Sequence, residues 1–280
     1  MTTRATTRSS NRADGAPKRR QRVQSAETGM AVLKALAHLG GSASLTAIAQ
    51  SVGESTAKVH RYVFSLTQEG LVAQNPSTQH YQLGPQAIHI GLAAMRQCDP
   101  IRLGGASLAR LREGLQATTF IAVMGNKGPT VLRIEEPSLP VTVNMRAGSV
   151  LPMLWSATGR AFLAFSDDAA LRVLAQDEWD TASAEQRALL KGAHPIDALV
   201  RRVREQGCAI VNDTLLQGVS AVAAPIFDAA GRVCAVLTTM GASRGFDTRP
   251  DGRIVPEVMR EAHAIGIAMG HLTSLPDSRT

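Results

Sequence analysis

The chain has 280 residues, 44% of them apolar and 19% charged, which fills packed cores, suggests two domains and excludes a wholly disordered chain or a collagen-like fibre. No stretch reaches the roughly 18 uncharged apolar residues of a spanning helix, and the N-terminus has no apolar leader core, so a cytoplasmic protein with no membrane partner is expected. The formal net charge of +7 is lopsided: residues 1–97 hold eleven Lys and Arg against four Asp and Glu, whereas residues 98–280 hold nineteen of each. A basic region beside a neutral one is the footprint of a part that binds a polyanion, most often nucleic acid. A solvated tail is the alternative, because Lys18, Arg19, Arg20 and Arg22 supply four of the eleven.

Residues 1–22 carry no apolar period and are expected to form a disordered basic arm. From Ser25 to Leu39 the apolar positions Met30, Val32, Leu33, Leu36 and Leu39 make a helical stripe, with Ser25 as its expected cap and Gly40-Gly41 as its end. Leu45, Ile48, Ala49 and Val52 predict a short second helix that stops at Gly53. A third, capped by Ser55 or Glu54, carries Val59, Val63 and Leu66 and closes at Gly70. Leu71–Ala73 and Tyr81–Leu83, joined by a polar turn containing Pro76, read as a hairpin. Two short helices across a glycine turn followed by a hairpin make a winged helix-turn-helix, for which a plain helical bundle is the alternative. The exposed side of the third helix holds Ser55, Thr56, Lys58, His60 and Arg61, side chains suited to groove edges and phosphates. Lys58, nearer the helix N-terminus, is expected to meet a guanine edge and Arg61 a phosphate.

An unusually apolar helix from Pro85 to Gln97 reads as a linker over residues 85–99 that packs against a second copy of the chain. Beyond Pro100 the sequence predicts a helix to about Ala117, strands at Thr119–Met124, Thr130–Ile134 and Val141–Met145, and a helix at Thr158–Phe165. Further helices run to about Gln206, strands cover Val219–Phe227 and Arg232–Met240 around the turn Asp228–Gly231, and a last helix covers Ile254–Leu272. Helices and strands in blocks, without βαβ alternation, indicate an α+β domain with a mostly antiparallel sheet.

In this order the motifs resemble the IclR-type bacterial transcriptional regulators, from about Val23 to Leu272. The N-terminal part is similar in Ser25–Ala37, Leu45-Thr-Ala-Ile-Ala49, Val59-His60-Arg61-Tyr62 and Tyr81-Gln82-Leu83-Gly84. The C-terminal part is similar in Ala157-Thr-Gly159-Arg160-Ala161-Phe-Leu-Ala164, Arg204-Glu-Gln-Gly207 and Gly218–Asp228 with Gly231. Ala57-Lys58 departs from the Ser-Thr that often precedes the family's Val-His-Arg, which bears on operator sequence and not on DNA binding. The resemblance implies a winged helix-turn-helix at 23–84, a GAF-like effector-binding domain at 100–274, a tail at 275–280 and a homodimer or dimer of dimers on double-stranded operator DNA. It also implies an effector pocket framed by Gly159, Arg160 and Ala161 and by Val211, Ala221, Thr238 and Met240, less polar than in relatives that bind small acids.

The residues themselves point the same way. A glycine near the start of a helix leaves N–H groups and the positive end of the dipole facing out, which favours a carboxylate. Ser156, Thr158 and Thr238 add hydroxyls, while Met153, Trp155 and Met240 stand open between pocket wall and ordinary core. A small organic acid, aromatic or otherwise partly apolar, is the expected effector.

Enzyme chemistry finds little support. Gly241-Ala-Ser243-Arg-Gly245 satisfies G-x-S-x-G but has no helix behind it and too little chain after it for a hydrolase triad. Phosphate-loop, dinucleotide and H-E-x-x-H motifs are absent, and Cys98, Cys208 and Cys234 form no C-x-x-C pair, so neither cofactor nor metal is expected. Beside the effector-gated regulator stand two alternatives: a constitutive DNA-binding dimer, and a hydrolase using Ser243.

Overall fold

The computed structural model describes residues 23–137 and 145–272. The basic arm at 1–22, most of the strand expected at Val141–Met145 and the tail at 275–280 lie outside the described residues. The chain divides into two compact units between Met95 and Arg96, which places the linker helix with the N-terminal unit.

The N-terminal unit runs α1 (Gln24–His38), β1 (Ser42–Ala43), α2 (Leu45–Val52), α3 (Thr56–Gln68), β2 (Val72–Gln74), β3 (Tyr81–Leu83) and α4 (Pro85–Met95). Val32 and Leu36 of α1, Ile48 of α2 and Val59 and Val63 of α3 meet in one core, so each helix turns its apolar stripe inward. Ser25 lies inside α1 rather than at its cap: the helix begins behind Val23, whose carbonyl accepts from the Glu27 N–H, and that end has no side-chain cap. Ser44 caps α2, its Oγ accepting from the Ala47 N–H at 3.2 Å, and Gly53 ends it in the left-handed region at φ +68°. Ser55 caps α3 by accepting from the Lys58 N–H. The hairpin of β2 and β3 pairs Val72 with Leu83, and its turn is closed by Asn75 Oδ1, which accepts from the N–H groups of Ser77 and Thr78. A third strand, β1, joins the hairpin through Ser42 opposite Gln82. At two residues it is too short to show a period in the sequence.

The C-terminal unit contains α5 (Pro100–Leu103), α6 (Gly105–Leu115), β4 (Thr118–Gly125), β5 (Gly128–Glu135), α7 (Ala157–Phe165), α8 (Ala169–Thr181), α9 (Ala184–Ala188), α10 (Pro195–Gln206), β6 (Ala209–Asn212), β7 (Val219–Phe227), β8 (Val233–Ala242) and α11 (Ile254–Ala268). Its five strands lie in the order β5-β4-β8-β7-β6, with every pairing antiparallel. The single helix expected after Pro100 is interrupted at Gly104, and β6 is a strand that the sequence pattern did not predict. Met145 lies outside any strand, and the last helix stops at Ala268 rather than Leu272, with Gly270 in the left-handed region.

Strand periodicity builds two cores from one sheet. Phe120, Ala122, Ala221, Ala223, Val236 and Met240 face α7, α8 and α10 with Phe162 and Leu199. The intervening Ile121, Val222, Ala224, Ala235 and Leu237 face α6 and α11 with Leu108 and Val258. Strand β8 is therefore apolar on both faces, and the functional positions on it belong to the α7 side.

Candidate functional site

Two features of the described residues carry chemistry. The first is the outer face of α3. Burial of Val59, Val63 and Leu66 turns Thr56, Ala57, His60, Arg61 and Phe64 to solvent, at the spacing of one helix face. Arg61 has no carboxylate partner among the described residues, and Lys58, half buried beside this face, donates from Nζ to Glu54 Oε1 at 2.6 Å. Ser55 spends one lone pair on its cap. Phe64, 61% exposed, stands on this face as well, a position that the sequence pattern did not single out. Lys18, Arg19, Arg20 and Arg22 lie outside the described residues.

The second feature is a cavity of about 40 Å³ within the C-terminal unit, beneath the N-terminus of α7. Thr158, Val211, Ala221, Thr238 and Met240 line it, together with Ser156 and Ala157. Sheet register explains the grouping: Phe120 sits opposite Thr238, Met240 opposite Ala221, and Ala221 opposite Val211, so these side chains share a face. Phe120, Met145, Leu151, Leu215, Leu216 and Val219, not anticipated from the sequence, complete an almost wholly apolar wall.

Polar groups gather at one end. Thr158 Oγ1 and Thr238 Oγ1 share a hydrogen bond of 2.9 Å, both side chains being buried. Ser156 caps α7: its Oγ accepts from the Gly159 N–H at 2.9 Å and donates to the Pro152 carbonyl at 2.6 Å. The N–H groups of Ala157 and Thr158, the first two of α7, have no acceptor among the described residues. A site with two N–H donors at a positive helix end, beside two hydroxyls in an apolar shell, suits a carboxylate with an apolar body.

The structure does not bring the remaining expected pocket residues to the cavity. Gly159 is needed for close packing, since a Cβ there would collide with the Pro152 carbonyl and the Met153 backbone. Ala161, Met153 and Trp155 are packed in the core. Arg160 is buried and its Nε donates to the Leu154 carbonyl at 2.6 Å. Burial, and then the nearby Arg202 charge, push its pKa down to about 10, so it remains a cation at neutral pH. Glu178 of α8 accepts from the N–H groups of Met153 and Leu154, at 2.6 and 2.9 Å. Arg160 and Glu178 thus pin the 152–155 segment that carries the cap of α7, and their effect on the cavity passes through Ser156.

Ser243 is tied in the same structural sense. Its Oγ donates to Asp213 Oδ1 at 2.8 Å and shares a 2.9 Å hydrogen bond with Ser220, while Asp213 also accepts from the Gly218 N–H. No histidine is bonded to it among the described residues, so the G-x-S-x-G segment anchors the 213–218 loop, whose Leu215 and Leu216 form part of the cavity wall. The described residues hold no group of His, Cys, Asp and Glu that could bind a metal ion, and no described helix is long and apolar enough to cross a membrane.

Comparison with known proteins finds a family match in each of the two units. The model of the bacterial transcriptional regulator IclR C-terminal domain matches residues 102–267, and that of the IclR helix-turn-helix domain matches residues 25–76. The crystal structure of Pseudomonas aeruginosa HmgR superposes with a TM-score of 0.77 at 38% identity, covering 89% of this chain and 99% of that one. The HTH-type transcriptional regulator XynR of Escherichia coli K12 is 23% identical over 249 residues, 89% of this chain and 98% of that protein. The transcriptional repressor IclR of the same organism is 26% identical over 209 residues, 74% and 75% of the two chains.

Proposed function

Because this chain belongs to the IclR family of bacterial transcriptional regulators, it is a DNA-binding regulator and not an enzyme, and we propose that a small organic acid in the cavity beneath α7 sets its operator affinity. The observation that carries this reading is the polar end of the cavity: the N–H groups of Ala157 and Thr158 and the Thr158–Thr238 hydroxyl pair, within an otherwise apolar lining. A carboxylate takes the donors, and an apolar body, aromatic by preference, fills the space between Phe120, Leu151 and Met240. The N–H groups assigned here are those at the open end of the helix, in place of the Gly159 and Ala161 positions expected from the sequence.

On the DNA side, α3 enters the major groove with Arg61 on a phosphate, and the arm with Lys18, Arg19, Arg20 and Arg22 runs along phosphates or an A·T-rich minor groove. Its deletion weakens binding to all duplexes and flattens the salt dependence by roughly one unit for each phosphate that is no longer neutralised. Binding is dimeric, because one winged helix reads few base pairs. Helix α4, whose Ile88, Ile90, Leu92 and Met95 are exposed, offers the apolar face for a second copy.

Mobility shifts on the DNA upstream of its own gene, with benzoate, phenylacetate and hexanoate added in turn, test the effector reading. The expected result is that an acid alters the shift and that Thr238→Leu, which fills the cavity, abolishes the response while leaving DNA binding intact. A shift that no acid changes identifies a constitutive binder. Thr238→Leu responding as the native protein does removes the acid from this cavity. Sedimentation at micromolar concentration showing only monomer overturns the dimer.

A further inference from the structure

The Glu54–Lys58 pair lies at the leading end of the recognition helix, and the reading of α3 as the groove-entering element leaves the carboxylate without a role. Glu54 sits between Gly53, which ends α2, and Ser55, which caps α3, while Lys58 is one turn on. Their charged atoms are 2.6 Å apart, and both side chains are about one-third exposed. A carboxylate facing DNA is unfavourable on electrostatic grounds, since it repels phosphates and cancels the cation beside it. As a device for stability the pair is weak, because partly exposed i,i+4 pairs contribute little. A carboxylate beside the N-cap of α3 also meets the positive end of the helix dipole, and in the major groove the bases supply a hydrogen-bond donor that it can accept from as well.

We propose that Glu54 and Lys58 act as one unit that reads both bases of a single G·C pair in each half-site. The chemistry fits edge to edge. Guanine presents acceptors at N7 and O6, and its paired cytosine presents the free hydrogen of its N4 amino group next to O6. O6 and N4 are joined by a base-pair hydrogen bond of ordinary length, about 2.9 Å, close to the 2.6 Å that separates Lys58 Nζ from Glu54 Oε1. Lys58 donates to O6 and N7 while Glu54 accepts from N4, and the ion pair need not break. An A·T pair also sets a donor beside an acceptor, but thymine places its methyl group where guanine has N7, so the ammonium loses an acceptor and meets an apolar group. Where no amino donor stands opposite it, the carboxylate only adds repulsion towards the phosphates. Glu54 is thereby a specificity-determining residue that lowers general affinity while raising discrimination.

The inference rests on α3 entering the major groove, and the test separates the two. The full-length native chain, Glu54→Ala, Lys58→Ala and Glu54→Gln are each used to select duplexes from a random pool. The expected native motif contains a G·C pair at one position of each half-site. Both alanine variants lose that preference at the same position, with affinity about tenfold lower on the native-selected duplex. Glu54→Ala at the same time binds scrambled DNA more tightly than the native chain, which a merely structural role, weakening binding to every duplex, does not produce. Glu54→Gln keeps the shape without the charge and turns the preference at that position towards adenine, the base a glutamine amide pairs with in bidentate fashion. Native-like motifs from Glu54→Ala and Glu54→Gln, or equal proportional losses on selected and scrambled duplexes, overturn the proposal. A native chain that enriches no sequence overturns the reading of α3 as well, and is distinguished by that from failure at Glu54 alone.

Discussion

The two units use polar groups in opposite ways. In the N-terminal unit they stand outside a purely apolar core: His60 and Arg61 are exposed, and Ile48, Val59 and Val63 fill the interior. In the C-terminal unit they are carried inside: Thr158, Thr238, Arg160, Ser156 and Glu261 are all buried, and each is bonded. The charge follows the same division, the basic excess of the whole chain lying in residues 1–97. A surface that meets a polyanion needs its donors in water until contact, whereas a cavity that selects a small molecule needs a few fixed donors in a dry shell. Each arrangement has its own vulnerability: the C-terminal unit depends on keeping its interior polar atoms bonded, Thr239 Oγ1 being buried without a partner among the described residues, and the N-terminal unit on apolar packing and helix caps.

The largest effect expected is on the independence of the two cores. Phe162 lies at 2% exposure in the core on the α7 side of the sheet, and Phe162→Ala should cost about 3–5 kcal/mol there. Scanning calorimetry should then show one transition moved down and the transition of the N-terminal unit where it was. A single merged transition that shifts as a whole would break the division into two separately stabilised units.

A smaller effect sharpens the claim about interior polar atoms. Thr238→Val leaves the Thr158 hydroxyl buried without a partner, at a cost of about 1–3 kcal/mol. Thr158→Val combined with Thr238→Val removes both hydroxyls at nearly constant volume and should recover most of that loss in chemical denaturation. Response to the acid should be lost in the single and the double variant alike. Additive losses would mean that the two hydroxyls stabilise the unit separately.

Caps provide the matching test in the N-terminal unit and also mark how far the sequence could be read. Ser44→Ala should cost about 1 kcal/mol and Ser25→Ala next to nothing, as melting of the two variants would measure. Ser25 resembles a cap in the sequence because it precedes an apolar stripe, yet the helix starts two residues earlier at a backbone carbonyl. Helices α2 and α3 were legible because glycines bound them and their apolar positions repeat at 3.6 residues. Cavity residues on β8 were legible as strand positions, and Thr158 as the first residue of a helix that in the structure begins one residue earlier, at Ala157. Phe120 could not be assigned to the cavity without knowing that it lies opposite Thr238, a pairing across more than a hundred residues. Gly159, Arg160 and Ala161 sit in a motif of the family, but a motif does not say which side of the helix faces the cavity, and these three face the core and the 152–155 segment.

The smallest effect expected concerns pH. Glu261 on α11 is buried and takes a two-pronged interaction from Arg110 of α6, with Nε to Oε1 at 3.2 Å and the terminal nitrogen to Oε2 at 2.6 Å. Burial alone pushes its carboxyl pKa up, but hydrogen bonds from Arg110 and Ser107 outweigh that and hold it below the ordinary value. A carboxylate whose folded pKa lies below its unfolded one adds stability above the unfolded value, about 4.5, and loses it as the pH falls through the folded value. Arg110 is more than half exposed, so solvent screening keeps the contribution below about 1 kcal/mol. Glu261→Gln should therefore lower the melting temperature of the C-terminal unit slightly at neutral pH, and the gap to the native protein should close in acid. The transition of the N-terminal unit should be the same in both proteins at every pH. A gap that persists unchanged at pH 3 would mean that Glu261 stabilises by packing and not by its charge, and the interior polar atoms of this unit would then owe less to electrostatics than the hydroxyl pair suggests.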